Sequence, residues 1–342
     1  MNILVTGGNG FIATNFIKIA LSQGHSITSL DNLSYAASRD NHALFIGNAS
    51  YKFMHEDIRS ENIYKILESN SYNVVINFAA ETHVDRSIED DSSFISTNIN
   101  GTHNLISACR NLLDKSILPK GFRFIQISTD EVYGSLELDD EPFTECSPLM
   151  PNNPYSASKT AADLICMSYY RTYGFPVIIT RCSNNYGPYQ YPEKLIPLSI
   201  NRLKSGQKIP IYGNGLQIRD WIYVDDHCKG IFKALEVGKI GEIYNFGGQS
   251  ELTNIDCIKN LVNVIDPKLK SDDIFDFVKD RPGHDTRYAI NPKKSFNELN
   301  WKPSESFSSG ITKTISWYIK NHNWLEEKIN SKEYKVWELN HY

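Results

Sequence analysis

Two short runs of residues place reactive side chains at spacings that suit proton transfer and elimination. Tyr155 and Lys159 are four residues apart and share one face if the segment is helical. An ammonium beside a phenol lowers its pKa, which leaves a base able to take a proton from a hydroxyl. Thr129, Asp130 and Glu131 follow an apolar run and add a hydroxyl and two carboxylates. The first run indicates hydride transfer and the second indicates elimination of water.

Each run also has an ordinary explanation. A tyrosine and a lysine at helical spacing are more often a surface pair, and neighbouring carboxylates at a strand end are usually solvated. Both runs, however, follow a glycine-rich turn of the kind that binds a dinucleotide. The coincidence of the three features favours one shared active site.

Strand-like apolar runs alternate with helically spaced apolar residues through the first half of the chain. The runs lie at residues 2–6, 26–30, 73–78, 122–128 and 176–180. This rhythm predicts an α/β fold with a doubly wound parallel sheet and helices on both faces.

The regular alternation weakens after about Arg181, where turn residues, cations and aromatics accumulate. We therefore expect a smaller, mostly C-terminal substrate-binding lobe. The residues from 224 to 246 again read as a helix followed by a strand. The expected division is 1–180 with about 224–247 for the sheet domain, and about 181–223 with 248–342 for the lobe. The charged segment 326–342 is predicted to form a surface helix and a tail.

A glycine-rich turn joins the first predicted strand to the first predicted helix. It contains Gly7 and Gly10, and Ala13 replaces the third glycine of the usual pattern. Backbone amides at such a helix start bind a pyrophosphate, and small residues let it come close. Asp31, at the end of the second strand, suits a ribose diol and repels a 2′-phosphate. The sequence therefore predicts NAD in preference to NADP.

Length, charge and cysteine content limit the classes of function. The 342 residues suffice for one large α/β unit or two closely joined domains, and the net charge of −5 does not favour nucleic acid or an anionic membrane. The six cysteines have neither Cys-x-x-Cys pairs nor metal-ligand spacing, so we expect buried thiols and no metal. No secretory signal and no membrane-spanning run is visible. We expect a cytoplasmic protein.

Seven motifs along nearly the whole chain resemble those of the dTDP-glucose 4,6-dehydratases, which are extended short-chain dehydrogenases/reductases. The motifs are FAAETHVDR (78–86), STDEVYG (128–134), YSASK (155–159), CSNNYGP (182–188), PEKLIP (192–197), RDWIYV (219–224) and DRPGHD (280–285). Tyr-x-x-x-Lys alone is common to the superfamily, whereas the combination is specific. The resemblance implies an NAD-binding Rossmann fold and a homodimer formed through the helices near 98–111 and 155–171.

The resemblance also implies a mechanism that these residue types support. Tyr155, assisted by Lys159, takes the proton of the C4 hydroxyl while hydride passes to NAD, and Thr129 hydrogen-bonds the sugar. The 4-keto group acidifies the C5 proton, which Glu131 removes, and Asp130 protonates the departing C6 hydroxyl. The hydride then returns to C6. Two adjacent carboxylates with opposite tasks need different pKa values, which burial and mutual repulsion can provide.

Further residues are expected at the cofactor and substrate through the same resemblance. Those expected to face NAD, besides Gly7, Gly10, Asp31, Tyr155 and Lys159, are Phe11, Ile12, Asn32, Leu33, Ser34, Asp57, Ile58, Phe78, Ala79, Ala80, Glu81, Thr97 and Asn185. Those expected to contact the nucleotide sugar, besides Thr129, are Thr82, Asn184, Glu193, Lys194, Leu195, Pro210, Tyr212, Arg219, Asn254, Arg281, His284 and Tyr288. Guanidinium groups bind phosphate bidentately, and Tyr212 can stack on a pyrimidine.

Three alternatives stay open. The sequence does not distinguish dTDP-glucose from UDP-glucose as the substrate, because the one methyl by which the bases differ is worth only about 1 kcal/mol of discrimination. A nucleotide-sugar 4-epimerase shares the fold, NAD, Tyr155 and Lys159, but such enzymes usually lack the two carboxylates; decarboxylating relatives keep a glutamate after a serine. The third alternative, an NAD-binding regulator without catalysis, is disfavoured by the complete set from Thr129 to Lys159.

Overall fold

A seven-stranded parallel sheet forms the centre of the fold in the computed structural model, which describes residues 1–269 and 274–342. Its strands are β1 (Asn2–Thr6), β2 (Ser26–Asp31), β3 (Tyr51–His55), β4 (Val74–Asn77), β5 (Arg123–Thr129), β6 (Val177–Cys182) and, after three lobe strands, β10 (Ile243–Phe246). The spatial order is β3-β2-β1-β4-β5-β6-β10. The predicted doubly wound α/β fold is confirmed.

Helices cover both faces of this sheet. In chain order the helices are α1 (Phe11–Ser22), α2 (Arg39–Ala43), α3 (Asn62–Glu68), α4 (Val84–Glu89), α5 (Ser92–Phe94), α6 (Thr102–Asp114), α7 (Pro154–Tyr173), α8 (Leu195–Lys204), α9 (Val224–Val237), α10 (Asn254–Ile265), α11 (Lys293–Leu299), α12 (Phe307–Lys320), α13 (His322–Ile329) and α14 (Lys332–His341), with a π-helix at Ile95–Gly101. One core lies under α1 and α9 and includes Phe16 and Phe232. The opposite core includes Leu105 and Phe175. Because both faces are covered, the β4 residues are all buried.

Local signals fix the helix that carries Tyr155 and Lys159. The Asn153 side chain accepts a hydrogen bond from Ser156 N, and Pro154 occupies the first turn of α7. Gly174 ends the helix with φ +67°, a conformation that glycine adopts at little cost. The start of α7 is therefore held rigidly beside β5.

The lobe is built from short strands and the C-terminal helices. Its strands are β7 (Asn184–Tyr186), β8 (Ile209–Tyr212), β9 (Ile218–Tyr223), β11 (Glu251–Thr253), β12 (Phe275–Val278) and β13 (Arg287–Tyr288). Strand β9 pairs with β7, β11 and β13, and β8 pairs with β12. Between the two groups of lobe strands, α9 and β10 bring the chain back to the edge of the main sheet, as the sequence predicts.

The C-terminal segment forms the predicted surface helix, most of whose residues are exposed, but helix takes the place of the predicted tail. Helix α14 continues to His341, and its aromatic side chains Tyr334 and Trp337 are buried. They pack with Tyr191 and Leu198, so aromatic burial holds the segment on the lobe. Among the helices of residues 1–269 and 274–342, none is long and apolar enough to cross a membrane.

Candidate active site

The two carboxylates lie where β5 gives way to a single 3₁₀ turn. Strand β5 ends at Thr129, and Asp130–Tyr133 forms the turn. Thr129 Oγ1 caps this turn by accepting a hydrogen bond from Glu131 N at 3.2 Å, and it donates to Asp130 Oδ1 at 3.2 Å. Neighbouring strand residues point to opposite faces, so the end of the strand is what lets both carboxylates serve one cleft.

A glycine closes this turn. Gly134 has φ +90°, and a Cβ at this position would lie 2.3 Å from Met150 O. No larger residue fits without moving the backbone that follows the carboxylates.

Nearby charges separate the acidities of the two carboxyl groups, both of which burial weakens. Asp130 is 2% exposed, and burial, followed by the charge of Glu131, raises its pKa well above the usual value. Burial also raises the pKa of Glu131, but the positive charges of Arg281, Lys194 and Arg219 oppose that rise. Asp130 Oδ2 and Glu131 Oε2 are buried without a hydrogen-bond partner. Both pKa values are raised, and that of Asp130 is raised more strongly, so Asp130 holds its proton to a higher pH than Glu131 does.

Tyr155 and Lys159 lie in the same cleft, beside β5. Both are nearly fully buried, and Lys159 Nζ donates a 2.7 Å hydrogen bond to Ile127 O. The sequence predicts that Lys159 lowers the pKa of Tyr155, but the structure gives the opposite direction. Burial raises the pKa of Tyr155 well above its usual value, and the charge of Glu131 adds to the rise. The phenol therefore needs a further positive charge nearby before it can act as a base.

The glycine-rich turn has the shape that a pyrophosphate requires. Gly7 has φ +64°, and a Cβ there would lie 2.7 Å from the backbone of Ala79. Helix α1 begins after Gly10 with no side-chain cap, so its first amides remain available to an anion. The residues fit the phosphates of a dinucleotide.

Asp31 is held at the carboxyl end of β2 by backbone amides. Its carboxylate accepts hydrogen bonds from Asn9 N at 2.9 Å and from Leu33 N at 2.7 Å. Leu33 has φ +56°, which turns the chain away from the strand end. The carboxylate is thereby fixed at the position where a ribose diol is expected.

One continuous cleft joins the predicted cofactor and catalytic residues. The predicted residues that line it are Gly7, Gly10, Phe11, Ile12, Asp31, Asn32, Ser34, Asp57, Ile58, Phe78, Ala79, Ala80, Glu81, Thr82, Thr97, Thr129, Asp130, Glu131, Tyr155, Lys159, Asn184, Asn185, Glu193 and Lys194. Ser128, Cys182 and Gln190 also line it, although the sequence analysis did not assign them to the site.

The remaining predicted substrate residues lie on the lobe, outside this lining. They are Leu195 at the start of α8, Pro210 and Tyr212 on β8, Arg219 on β9, Asn254 at the start of α10, Arg281 and His284 after β12, and Tyr288 on β13. The Arg219 guanidinium lies 4.2 Å from the centre of the Tyr288 ring. His284 Nδ1 is 2.6 Å from Asp280 Oδ1. The positive charges of Arg219, Arg281 and Lys194 all lower the pKa of Glu131.

Glu193 lines the cleft, but its carboxylate is already hydrogen-bonded to other side chains of the protein. Tyr35 OH donates to Oε1 at 3.1 Å, and Arg86 Nε lies 3.1 Å from Oε2. The Arg86 guanidinium also stacks 3.9 Å above the Tyr35 ring. No sequence pattern predicted a role for Tyr35 or Arg86, although Arg86 is the last residue of the 78–86 motif. The network connects the loop after β2 to the lobe.

Comparison with known proteins places the chain among nucleotide-sugar enzymes. A family model described as GDP-mannose 4,6 dehydratase matches residues 4–314. A dTDP-glucose 4,6-dehydratase from Xanthomonas campestris pv. campestris (strain B100) is 45% identical, with 94% of each chain covered. A dTDP-glucose 4,6-dehydratase from Escherichia coli (strain K12) is 44% identical, with 98% of each chain covered.

Solved structures give the same result. A dTDP-glucose 4,6-dehydratase from Streptomyces venezuelae, solved with NAD and a dTDP ligand, superposes with a TM-score of 0.89 at 42% identity, covering 96% of this chain and 100% of that one. A UDP-glucuronic acid 4-epimerase from Bacillus cereus, in complex with UDP-glucuronic acid and NAD, superposes with a TM-score of 0.85 at 27% identity. The match covers 94% of this chain and 99% of that one.

Proposed function

Because the chain belongs to the dTDP-glucose 4,6-dehydratase family, we propose that it converts dTDP-glucose to dTDP-4-keto-6-deoxy-glucose with NAD as cofactor. One observation carries the proposal beyond the shared fold. Asp130 and Glu131 meet a single cleft at the end of β5, with burial raising the pKa of Asp130 most strongly. An epimerase needs no acid for a departing C6 hydroxyl.

The cofactor residues hold NAD along the cleft. The turn at Gly7 and Gly10 with the start of α1 binds the pyrophosphate, and Asp31 binds the ribose diol. NAD supplies a hydride acceptor for C4, a hydride donor for C6 and a positive charge on its oxidised ring.

The protein groups move protons and hold the sugar. Tyr155 takes the proton of the C4 hydroxyl, for which a positive charge in the cleft must offset the burial that raises its pKa. Thr129 orients the sugar and, through its cap, the turn that carries the carboxylates. Glu131 removes the C5 proton that the 4-keto group acidifies, and Asp130 donates its proton to the C6 hydroxyl, which leaves as water. Once hydride has returned to C6 and the proton on Glu131 to C5, Tyr155 gives up the proton that it took and Asp130 regains one, so the net change is loss of one water.

The lobe binds the nucleotide diphosphate. Arg219 and Arg281 are proposed to bind the phosphates, since guanidinium groups pair with two phosphate oxygens at once. Lys194 lines the cofactor cleft, and its Nζ donates to Thr82 O at 3.2 Å. Tyr212 is proposed to contact the pyrimidine. The domain division given from the sequence is proposed to separate these two binding tasks.

A cytoplasmic homodimer is proposed as the working form. The cysteines of the chain are all free, and five of the six are buried, which suits a reducing compartment. Leu164 and Tyr173 lie exposed on α7 and support an interface along α6 and α7.

Purified protein incubated separately with dTDP-glucose and UDP-glucose, without added reductant, tests the function. Product mass reports loss of water, and absorbance in alkali reports the 4-keto sugar. Loss of water with no net NADH supports the proposal, and the faster nucleotide identifies the substrate. Conversion to the galactose epimer without loss of water would assign the chain to the epimerases. Bound NAD with no turnover would indicate a regulator.

A further inference from the structure

Asp85 connects two predicted nucleotide-binding residues of the lobe to the sheet domain. It lies in the first turn of α4, three residues after Thr82 of the cofactor cleft. Its Oδ1 is 2.8 Å from Arg281 Nη1, and its Oδ2 accepts a 3.1 Å hydrogen bond from Tyr212 OH. The side chain is 8% exposed, so water does not replace either partner easily.

The partners of Asp85 lie at the ends of two paired strands of the lobe, β8 and β12, whose register places Tyr212 beside Val278. Tyr212 ends β8, and Arg281 lies in the loop after β12. Arg281 uses Nη1 for Asp85, while its Nε is buried without a partner. An unpaired guanidinium donor in a buried position is available to a phosphate oxygen. The strand pairing brings the two elements together, and the one carboxylate holds both side chains, the phosphate-binding donor and the aromatic ring, against the sheet domain.

We infer that Asp85 is a positioning residue for the nucleotide diphosphate, acting through Arg281 and Tyr212, an inference that rests on the proposed function. Two donors need two acceptor oxygens, and a carboxylate provides both. An asparagine provides one acceptor and one donor, so one partner must lose its hydrogen bond.

The surroundings of Asp85 support a carboxylate that stays ionised. Burial acts to raise its pKa, but the charge of His83 in its protonated form, then the charge of Arg281 and the hydrogen bonds from Arg281 and Tyr212, outweigh burial and lower the pKa to about 2. His83 Nδ1 lies 3.9 Å from Oδ2, and burial lowers the pKa of His83 to about 4, which leaves that ring neutral at pH 7. The Tyr342 ring lies 6.0 Å from Tyr212 and covers this side of the site.

The test compares Asp85→Asn with the wild type in steady-state turnover of dTDP-glucose and in calorimetric binding of dTDP. We expect KM and the dTDP Kd to rise about 10-fold, as for loss of one hydrogen bond to a charged group. The kcat, which depends on groups in the cleft, stays within about twofold. In an Arg281→Ala background the same change raises KM and the dTDP Kd by a further factor of about three or less, because Asp85 has already lost its main partner.

Glu89→Gln is the matched control. Glu89 is an exposed carboxylate on the same helix, 3.6 Å from His341 Nε2, and its replacement leaves both constants unchanged. If Asp85→Asn does not fold, Tyr212→Phe decides, since it removes only the hydroxyl that donates to Asp85; we expect KM to rise about threefold.

The outcomes separate the two proposals. A wild-type protein that neither converts dTDP-glucose nor binds dTDP would refute the proposed function. An active wild type together with Asp85→Asn at unchanged or lower KM and Kd would overturn the role of Asp85. A loss confined to kcat would overturn it as well.

Discussion

Replacing Glu131 with glutamine tests the proposed chemistry most directly. The change preserves shape, and the capping bond of the 3₁₀ turn remains because it comes from Glu131 N and not from the side chain. It removes the carboxylate that takes the C5 proton. General-base catalysis contributes about 10²- to 10⁴-fold, so we expect kcat to fall by that factor, or about 3–5 kcal/mol in activation free energy.

The assay measures dehydration and proton exchange together. Wild-type and Glu131→Gln proteins are incubated with dTDP-glucose in deuterated water, and mass spectrometry follows loss of water and deuterium at C5. The variant should bind NAD normally, because the side chain lies at the opposite end of the cleft from Asp31 in the proposed arrangement. Its exchange at C5 should fall with kcat.

Glu137→Gln provides the control, since Glu137 is an exposed carboxylate shortly after the same turn. It should behave as wild type. If Glu131→Gln kept kcat within about fivefold of the wild type and still exchanged the C5 proton, another base would be at work and the mechanism would be wrong.

Four other outcomes are expected. The pH profile of kcat should be bell-shaped: activity falls as pH drops through the raised pKa of Glu131, which must be ionised, and falls as pH rises through the higher pKa of Asp130, which must be protonated. Asp130→Asn should remove the alkaline limb and lower kcat at least about 100-fold, as a pH-rate series would show. Gly7→Ala should abolish NAD binding in a fluorescence titration, because its Cβ would meet the Ala79 backbone at 2.7 Å. Asp31→Asn should weaken the binding of NAD about 10-fold and narrow the preference for NAD over NADP, as competition binding would measure.

The sequence by itself determined most strands of the sheet, though not β3, and the motif positions of the site. Period-two and buried apolar runs require strands, and the glycine turn requires a helix start, so β1, β2 and β4 to β6 were predictable from local pattern. The same local chemistry identified Tyr155, Lys159 and the pair Asp130 and Glu131. These signals lie within short segments, and they remain readable without knowledge of the rest of the chain.

Only the tertiary structure decided how residues from distant segments act on one another. Asp85 meets Arg281 across 196 positions of sequence, and no local pattern encodes such a contact. The buried face of α14 depends on aromatic partners from elsewhere in the lobe, so the charged sequence predicted the surface helix but not how it docks. The direction of the Tyr155 pKa was likewise a property of burial. A pKa responds to solvent exclusion and to every nearby charge, and the fold alone determines both.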